Sequence, residues 1–397
     1  MKGIILVLKK IWRYCRTILH TKYRWMLIFF IIWVYRVSCM AAGVGGLAQG
    51  LQVFTAFGLL YYALRFAKKR IVNALFLNVP ISTMTLYMIL AAVSALWSYV
   101  PAMSLFMAVE KLIFIIVLYA VVSEFRSFYY AEAFFVLLMV GILVFNGVAT
   151  RLMGYQTLIG HDLQQGSCAA MCFSYCVGEI MAGKLKNKER YQMLWAAILI
   201  SVLFLGLSTS GGANASAAFG FGIALFASGK KGYAFFLLLI GASFYVYEDL
   251  FENMFELLMQ GKSKGDISSA TGRTAIWEVV EILGTQKPML GWGYAAMERY
   301  ITDKGPMPLT DLHSNYYGTF GGLGIVGLVL LMVHHISSIV YLWIRHSKPG
   351  YVGLLSAICC AALNGYSYGF IAGKTAIITV VYLAVLMMTY IYSKVRV

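Results

Sequence analysis

Apolar stretches of about twenty residues recur along the whole chain, and that recurrence leaves few folds open. At 1.5 Å per helical residue, about twenty residues cross the roughly 30 Å of hydrocarbon in a bilayer. There every backbone N–H and C=O must be satisfied within its own helix. About twelve such spans are expected, centred near residues 35, 56, 88, 113, 140, 175, 199, 220, 240, 328, 361 and 383. Composition agrees, with 61% of 397 residues hydrophobic and only 12% charged, more apolar surface than a soluble core absorbs. The expected fold class is an all-α polytopic membrane protein.

The net charge of +16 invites a nucleic-acid reading, but the basic residues lie in short clusters between apolar stretches. That is the pattern of membrane orientation, and no nucleic-acid partner is expected. With the N-terminus inside, 22 of the 32 Lys and Arg residues fall in inner segments and seven in outer ones; Arg36, Lys111 and Lys374 fall within spans. Residues 248–312 instead carry ten acids against six bases. Both termini are therefore expected in the cytoplasm and this one large loop outside, between spans nine and ten. The chain divides into a basic cytoplasmic segment (1–24), helices one to nine (25–248), the loop (249–312) and helices ten to twelve (313–397). The basic N-terminus runs into a full-length span without a convincing cleavage site, and reads as retained.

Two parts of the loop have helical periodicity. In YEDLFENMFELLMQG, Phe251, Met254, Phe255 and Leu258 repeat at helical spacing opposite Glu252, Asn253 and Glu256, with Gly261 as a stop, which suits an interfacial helix. In SSATGRTAIWEVVEILG, Thr271 or Thr274 would cap a second helix with Ile276, Val280 and Leu283 on one face. Arg273 then sits at or near a helix start, where a cation and exposed N–H groups together suit a phosphate. Cys168, Cys172 and Cys176 fall four apart on one helix face and read as small packing residues. No internal repeat is obvious, which weakens a transporter reading.

The last stretch to account for is DLHSNYYGTFGGLGIVGLVLLM, residues 311–332, which sets Asp311 and His313 ahead of a glycine-studded apolar run. Together with SALWSYVPAMSLFMAVEKLIFIIVLYAV (94–121), LGLSTSGGANASAAFGFGIAL (205–225) and GRTAIWEVVEILGTQKPMLGWGY (272–294), it resembles the bacterial O-antigen ligase/polymerase family. His313 and Ser314, nine residues, then Gly324 and Gly327 match that family's histidine–glycine signature, and the resemblance spans roughly residues 94–340.

The resemblance implies a GT-C-like membrane glycosyltransferase that builds surface polysaccharide. A glycan on undecaprenyl diphosphate is passed, outside the membrane, to the hydroxyl of another glycan or of lipid A core. Such a transfer needs help in deprotonating the acceptor and cationic stabilisation of the departing diphosphate. By position, the resemblance makes His313, with Asp311 beside it, the catalytic base or acceptor-orienting group, and Arg273 a diphosphate contact. One departure stands out: Gly211 follows Ser210 where the family commonly has an arginine. Arg151 first, then Lys374 and Arg36, are candidates to supply the missing cation. No D-x-D motif occurs, so transfer without metal or other cofactor is the simpler expectation.

Several residues keep blander readings open. His313 could anchor a helix end, and His161 beside Asp162 is an alternative base. Glu110 and Lys111 are adjacent in one span, cannot face each other, and each needs its own partner. Glu179, His334 and His335 read as structural. Tyr316 and Tyr317 suit an aromatic belt or stacking on sugars. The glycines at 318, 321, 322, 324 and 327 would let one helix approach its neighbours closely. The reading adopted is a polysaccharide polymerase of the inner membrane; the alternatives are a ligase to lipid A core and, from another class, a transporter of lipid-linked oligosaccharide. Besides donor, acceptor and bilayer, the resemblance implies a flippase and a chain-length regulator as partners.

Overall fold

The computed structural model describes residues 45–67, 71–123, 125, 128–153, 162–183, 187–208, 210–233, 273–306, 308–309 and 311–394, with Trp25, Ile28, Phe29 and Ile32 before them. The expected spans near 35 and 240, the interfacial helix at 251–258, Thr271, His161 and Arg36 lie outside the described residues. Among the described residues all regular structure is helical. The helices are α1 (Gly45–Ala67), α2 (Ile71–Leu75), α3 (Val79–Val93), α4 (Pro101–Val122), α5 (Phe128–Met153), α6 (Asp162–Met181) and α7 (Lys188–Leu207). There follow α8 (Gly211–Ala227), α9 (Arg273–Gly284), α10 (Met297–Lys304), α11 (Asn315–Trp343), α12 (Tyr351–Ser367) and α13 (Ile377–Lys394). The expected spans near 56, 88, 113, 140, 175, 199, 220, 361 and 383 each fall on one of these helices. Among the described residues, five stretches are long and apolar enough to cross a membrane: Gly46–Arg65, Val79–Leu96, Pro101–Val122, Lys188–Leu207 and Asn315–Trp343.

Local chemistry sets the helix starts. Asn78, Asn187, Ser210 and Ser314 each accept backbone N–H groups of the first turn of α3, α7, α8 and α11. Pro80 and Pro101 occupy first-turn positions that need no N–H donor. Between helices, small residues allow backbone contact: a Cβ on Gly178 of α6 would lie 2.6 Å from Gly353 Cα of α12. Cys168, Cys172 and Cys176 are fully buried on α6, in keeping with the packing reading.

The stretch around residue 328 departs from a single straight span. Gly324 has φ 65 and ψ −161, which breaks α11 into a short arm before it and a long arm after it. In one straight helix Tyr316 and His335 would stand about 28 Å apart, yet their rings are 6.1 Å apart. Thr319 bonds Tyr87 and His334 bonds Thr83, residues one turn apart on α3. The arms therefore fold back on each other. The long arm, about 28 Å long, is sufficient by itself to cross the hydrocarbon.

The loop before this hairpin closes its tip. Trp292 and Gly293 donate their N–H groups to the carbonyls of Gly321 and Gly322, where the short arm ends. Pro288 and Met289 carbonyls accept the N–H groups of Ile325 and Val326, where the long arm begins. One connecting segment thus satisfies orphan groups of two helix ends. The glycines serve this turn: a Cβ on Gly324 would lie 2.3 Å from the Met289 carbonyl, and one on Gly327 2.1 Å from Leu323 Cβ. The expected close approach is present, but at Gly324 and Gly327 it is a chain meeting itself or its own loop.

At the opposite end of the bundle Arg190 (α7) bonds Glu132 (α5) at 2.6 and 2.7 Å and Glu179 (α6) at 2.6 Å. Tyr175 and Tyr392 also bond Glu132, and Glu179 accepts the Gly353 N–H. Five helices are tied together there.

Candidate active site

The short arm of α11 places the site. Its nine residues cover about 13 Å, so His313 and Asp311 lie that far below the hairpin tip rather than at the mouth of a span. The segment is seated by a small core of its own, in which Val280, Met297, Ile301 and Leu312 are buried against Ile276, Leu283 and Tyr317. The face expected of the second loop helix, Ile276, Val280 and Leu283, is the one that packs. Arg273 is the first described residue of α9 and Thr274 lies within the helix, so Thr274 is not its cap. Trp277 donates to the Leu312 carbonyl at 3.0 Å and stacks on Tyr317 at 4.7 Å. This pair fixes α9 against the foot of the short arm.

At that foot Asp311 Oδ1 accepts the backbone N–H of His313 at 2.8 Å, a side-chain turn that bends the chain just before the helix. His313 adopts φ 54, a left-handed conformation that costs energy in a residue other than glycine. Its Nδ1 lies 3.9 Å from Asp311 Oδ2, and both side chains keep about a third of their surface exposed. Arg273 donates to the Ser367 carbonyl at 2.6 Å. Burial lowers the pKa of its guanidinium, and the Asp311 carboxylate beside it acts in the opposite direction. Arginine stays charged through such shifts. Arg273, through the Ser367 carbonyl, and Asp311 Oδ1, 3.5 Å from where a Cβ on Gly369 would sit, thus both reach the 367–369 stretch, with His313 two residues beyond Asp311.

The 368–376 connection between α12 and α13 forms the opposite wall. Asn315 is wholly buried, and its Oδ1 accepts the N–H groups of Phe370, Ile371 and Ala372 at 2.8, 2.7 and 3.4 Å. Convergence of three donors identifies that atom as the amide oxygen. Lys111 of α4 is fully buried, donates to the Gly373 carbonyl at 2.8 Å and stands 5.1 Å from the Tyr294 ring. Tyr294 donates to the Ile371 carbonyl. Glu110 accepts two hydrogen bonds from Gln52, so the adjacent pair do find separate partners. Lys374 lies in this connection, before α13 rather than within a span, and is exposed. Arg151 belongs to α5, but its side chain is outside the described positions.

Ser210 caps α8 beside this site, and a Cβ on Gly212 would lie 2.3 Å from Ser367 Oγ. Thus α8's N-terminus and the guanidinium of Arg273 both reach Ser367. Position 211, where the arginine was expected, is buried glycine.

Two groups here were missed in the sequence. Asn315 was hidden by the signature residues on either side of it. Glu298 was counted only among the loop acids, although MERYITDK puts it with Met297 and Ile301 on the buried face of α10. A carboxylate on an apolar helix face was the available signal.

Residues 195–332 match the family model described as O-antigen ligase. This segment contains Arg273, Glu298, Asp311 and His313, whereas Lys111, Asn364 and Lys374 lie outside it. Comparison with curated proteins gives no match.

Proposed function

From the match of residues 195–332 to the O-antigen ligase model, we propose that the chain is a member of the O-antigen ligase/polymerase family and that it transfers a glycan from undecaprenyl diphosphate to an acceptor hydroxyl at the foot of the α11 hairpin. The acceptor oxygen attacks the anomeric carbon, the bond from that carbon to the diphosphate oxygen breaks, and the lipid diphosphate leaves with the electron pair. A single displacement inverts the anomeric centre. His313 takes the hydroxyl proton, with Asp311 holding the backbone turn that presents it. Arg273 stabilises the charge gathering on the leaving group, with Lys374 and Arg151 as further cations. The positive-inside pattern puts this chemistry outside the inner membrane, with both termini in the cytoplasm.

The observation that carries this reading is that Arg273 and the Asp311–His313 turn, from opposite ends of the segment 273–313, both reach the 367–369 stretch. His313→Ala should lower transfer by about a hundredfold or more, and Arg273→Ala by a similar factor. Both should insert and accumulate normally. Normal polymer in cells carrying either variant would remove the assignment. We read the acceptor as another repeat unit, making the protein a polymerase. The matched family's description favours ligation to lipid A core as the second reading. Deletion separates them: single repeats still attached to core mean polymerase, and accumulated lipid-linked polymer means ligase.

A further inference from the structure

Glu298 is a buried carboxyl that the proposed reaction does not use. The residue is 7% exposed, and its Oε2 has no hydrogen-bond partner among the described residues. A buried carboxylate oxygen with no donor is costly, because the ion loses its water and gains nothing in return. Its surroundings sharpen the problem. Asp311 Oδ1 lies 3.5 Å from where a Cβ on Gly369 would sit, and Glu298 Oε1 lies 3.7 Å from the same position on Gly373. The two carboxyls thus line one short turn. Asp311 disfavours a second negative charge there, while Lys374 and Lys111 favour it. Tyr294, whose hydroxyl is bonded to Ile371 O, is a further titratable group close to Glu298.

We propose that Glu298 is a charge-setting residue of the donor site: a diphosphate binds beside Asp311 only when the buried Glu298 carboxyl is the neutral acid. The inference rests on the donor reading given above. With Glu298 neutral, Asp311 is the one carboxylate of the pair that an incoming diphosphate meets, and Arg273 opposes it. With Glu298 ionised, the diphosphate meets two. Burial pushes the Glu298 carboxyl up to about 7. The acid is therefore protonated below that pH and ionised above it. If the ionised form does not bind, apparent donor affinity at pH 8 is about tenfold weaker than at pH 6.

The test uses the full-length protein in detergent and a short-chain polyprenyl-diphosphate-linked N-acetylglucosamine. As a diphosphate diester, this probe carries the same charge across that range. Wild type should lose about tenfold in affinity between pH 6 and 8, and Glu298→Gln, which cannot ionise, should bring that ratio to about one. Glu298→Asp should restore a pH dependence. Infrared difference spectra should also show a protonated-carboxyl band at pH 6.5 that the glutamine variant lacks. A wild-type affinity that is flat with pH, or a glutamine variant with the wild-type ratio, overturns the inference. A missing carboxyl band overturns it without reference to any ligand. No binding at either pH, with the carboxyl band present, sinks the donor reading and with it the gating role, while leaving the neutral acid in place.

Discussion

The two polar clusters of this bundle are built from the same kinds of residue and differ in how completely they are satisfied. At the Arg190 end, all four carboxylate oxygens of Glu132 and Glu179 accept hydrogen bonds, from Arg190, Tyr175, Tyr392 and the Gly353 N–H. At the His313 end, Glu298 Oε2, Asn315 Nδ2 and Asn364 Nδ2 are buried with no hydrogen-bond partner among the described residues. Buried polar groups in native proteins are nearly always paired, so unpaired ones call for a reason. The carboxylates of the first cluster are fully satisfied, although the Tyr129 hydroxyl near them is buried without a hydrogen-bond partner among the described residues, and the ion triad therefore acts as a lock. The second has hydrogen-bonding capacity left over, as a site for a polar ligand requires. Backbone geometry points the same way: His313 is held left-handed beside the open cluster.

The most forceful way to break this comparison is at Arg190. Arg190→Ala would leave two carboxylates buried with no cation between them, a loss of about 3–5 kcal/mol. Thermal denaturation in detergent should show a large fall in stability, while transfer per folded molecule stays near wild type. A variant that remained stable but lost transfer would mean that the Arg190 cluster is functional. The size of the effect does not make the ion triad itself a stabilising device, since a well-packed apolar replacement of all three residues could do as well.

A smaller effect is expected at the hairpin tip, where stability and activity should fall together. Gly324→Ala puts a side chain in a left-handed conformation and against the Met289 carbonyl, for about 1–3 kcal/mol of strain. Because the short arm hangs from this turn, His313 should shift as the turn relaxes. We expect a modest loss of stability with a disproportionate loss of transfer. Wild-type transfer from a destabilised Gly324→Ala protein would detach the hairpin from the site.

Much of this was legible in the sequence, and the part that was not has a common cause. Periodicity and length placed nine helices, because a span's apolar residues register against lipid without reference to any neighbour. Arg273, Asp311 and His313 could be picked out because each sits at a helix start, a local feature. The hairpin was not legible: Gly324 and Gly327 in an apolar run look the same whether they let another helix approach or let the chain reverse. Only contacts with residues 288–293 and with Leu323 decide it. The 368–376 wall was missed for the same reason, since its partners Asn315, Lys111 and Tyr294 come from three distant segments. Arg190 was read as one more inner basic residue, because its acids lie 58 and 11 residues away on other helices.

The mildest expected change tests redundancy. Glu132 Oε1 accepts from Arg190 Nη2 at 2.7 Å and Tyr175 at 2.5 Å, with the Tyr392 hydroxyl 3.1 Å away and 2.6 Å from that of Tyr175. Tyr392→Phe removes a single hydroxyl, with its 3.1 Å contact to Glu132 and its 2.6 Å contact to Tyr175, and keeps the ring, which packs against Phe128 at 4.1 Å. No carboxylate oxygen is left without a donor, so the cost should be that of one ordinary hydrogen bond, about 0.5–1.5 kcal/mol. Transfer and its pH profile should not move. A lock tolerates losing one of several donors because the rest still neutralise the charge. At the His313 end Glu298 Oε2 and the amide nitrogens of Asn315 and Asn364 have no hydrogen-bond partner among the described residues, and change should appear in donor affinity or turnover rather than in melting. A Tyr392→Phe variant that melted like wild type but shifted the pH profile of transfer would erase the distinction between the two ends.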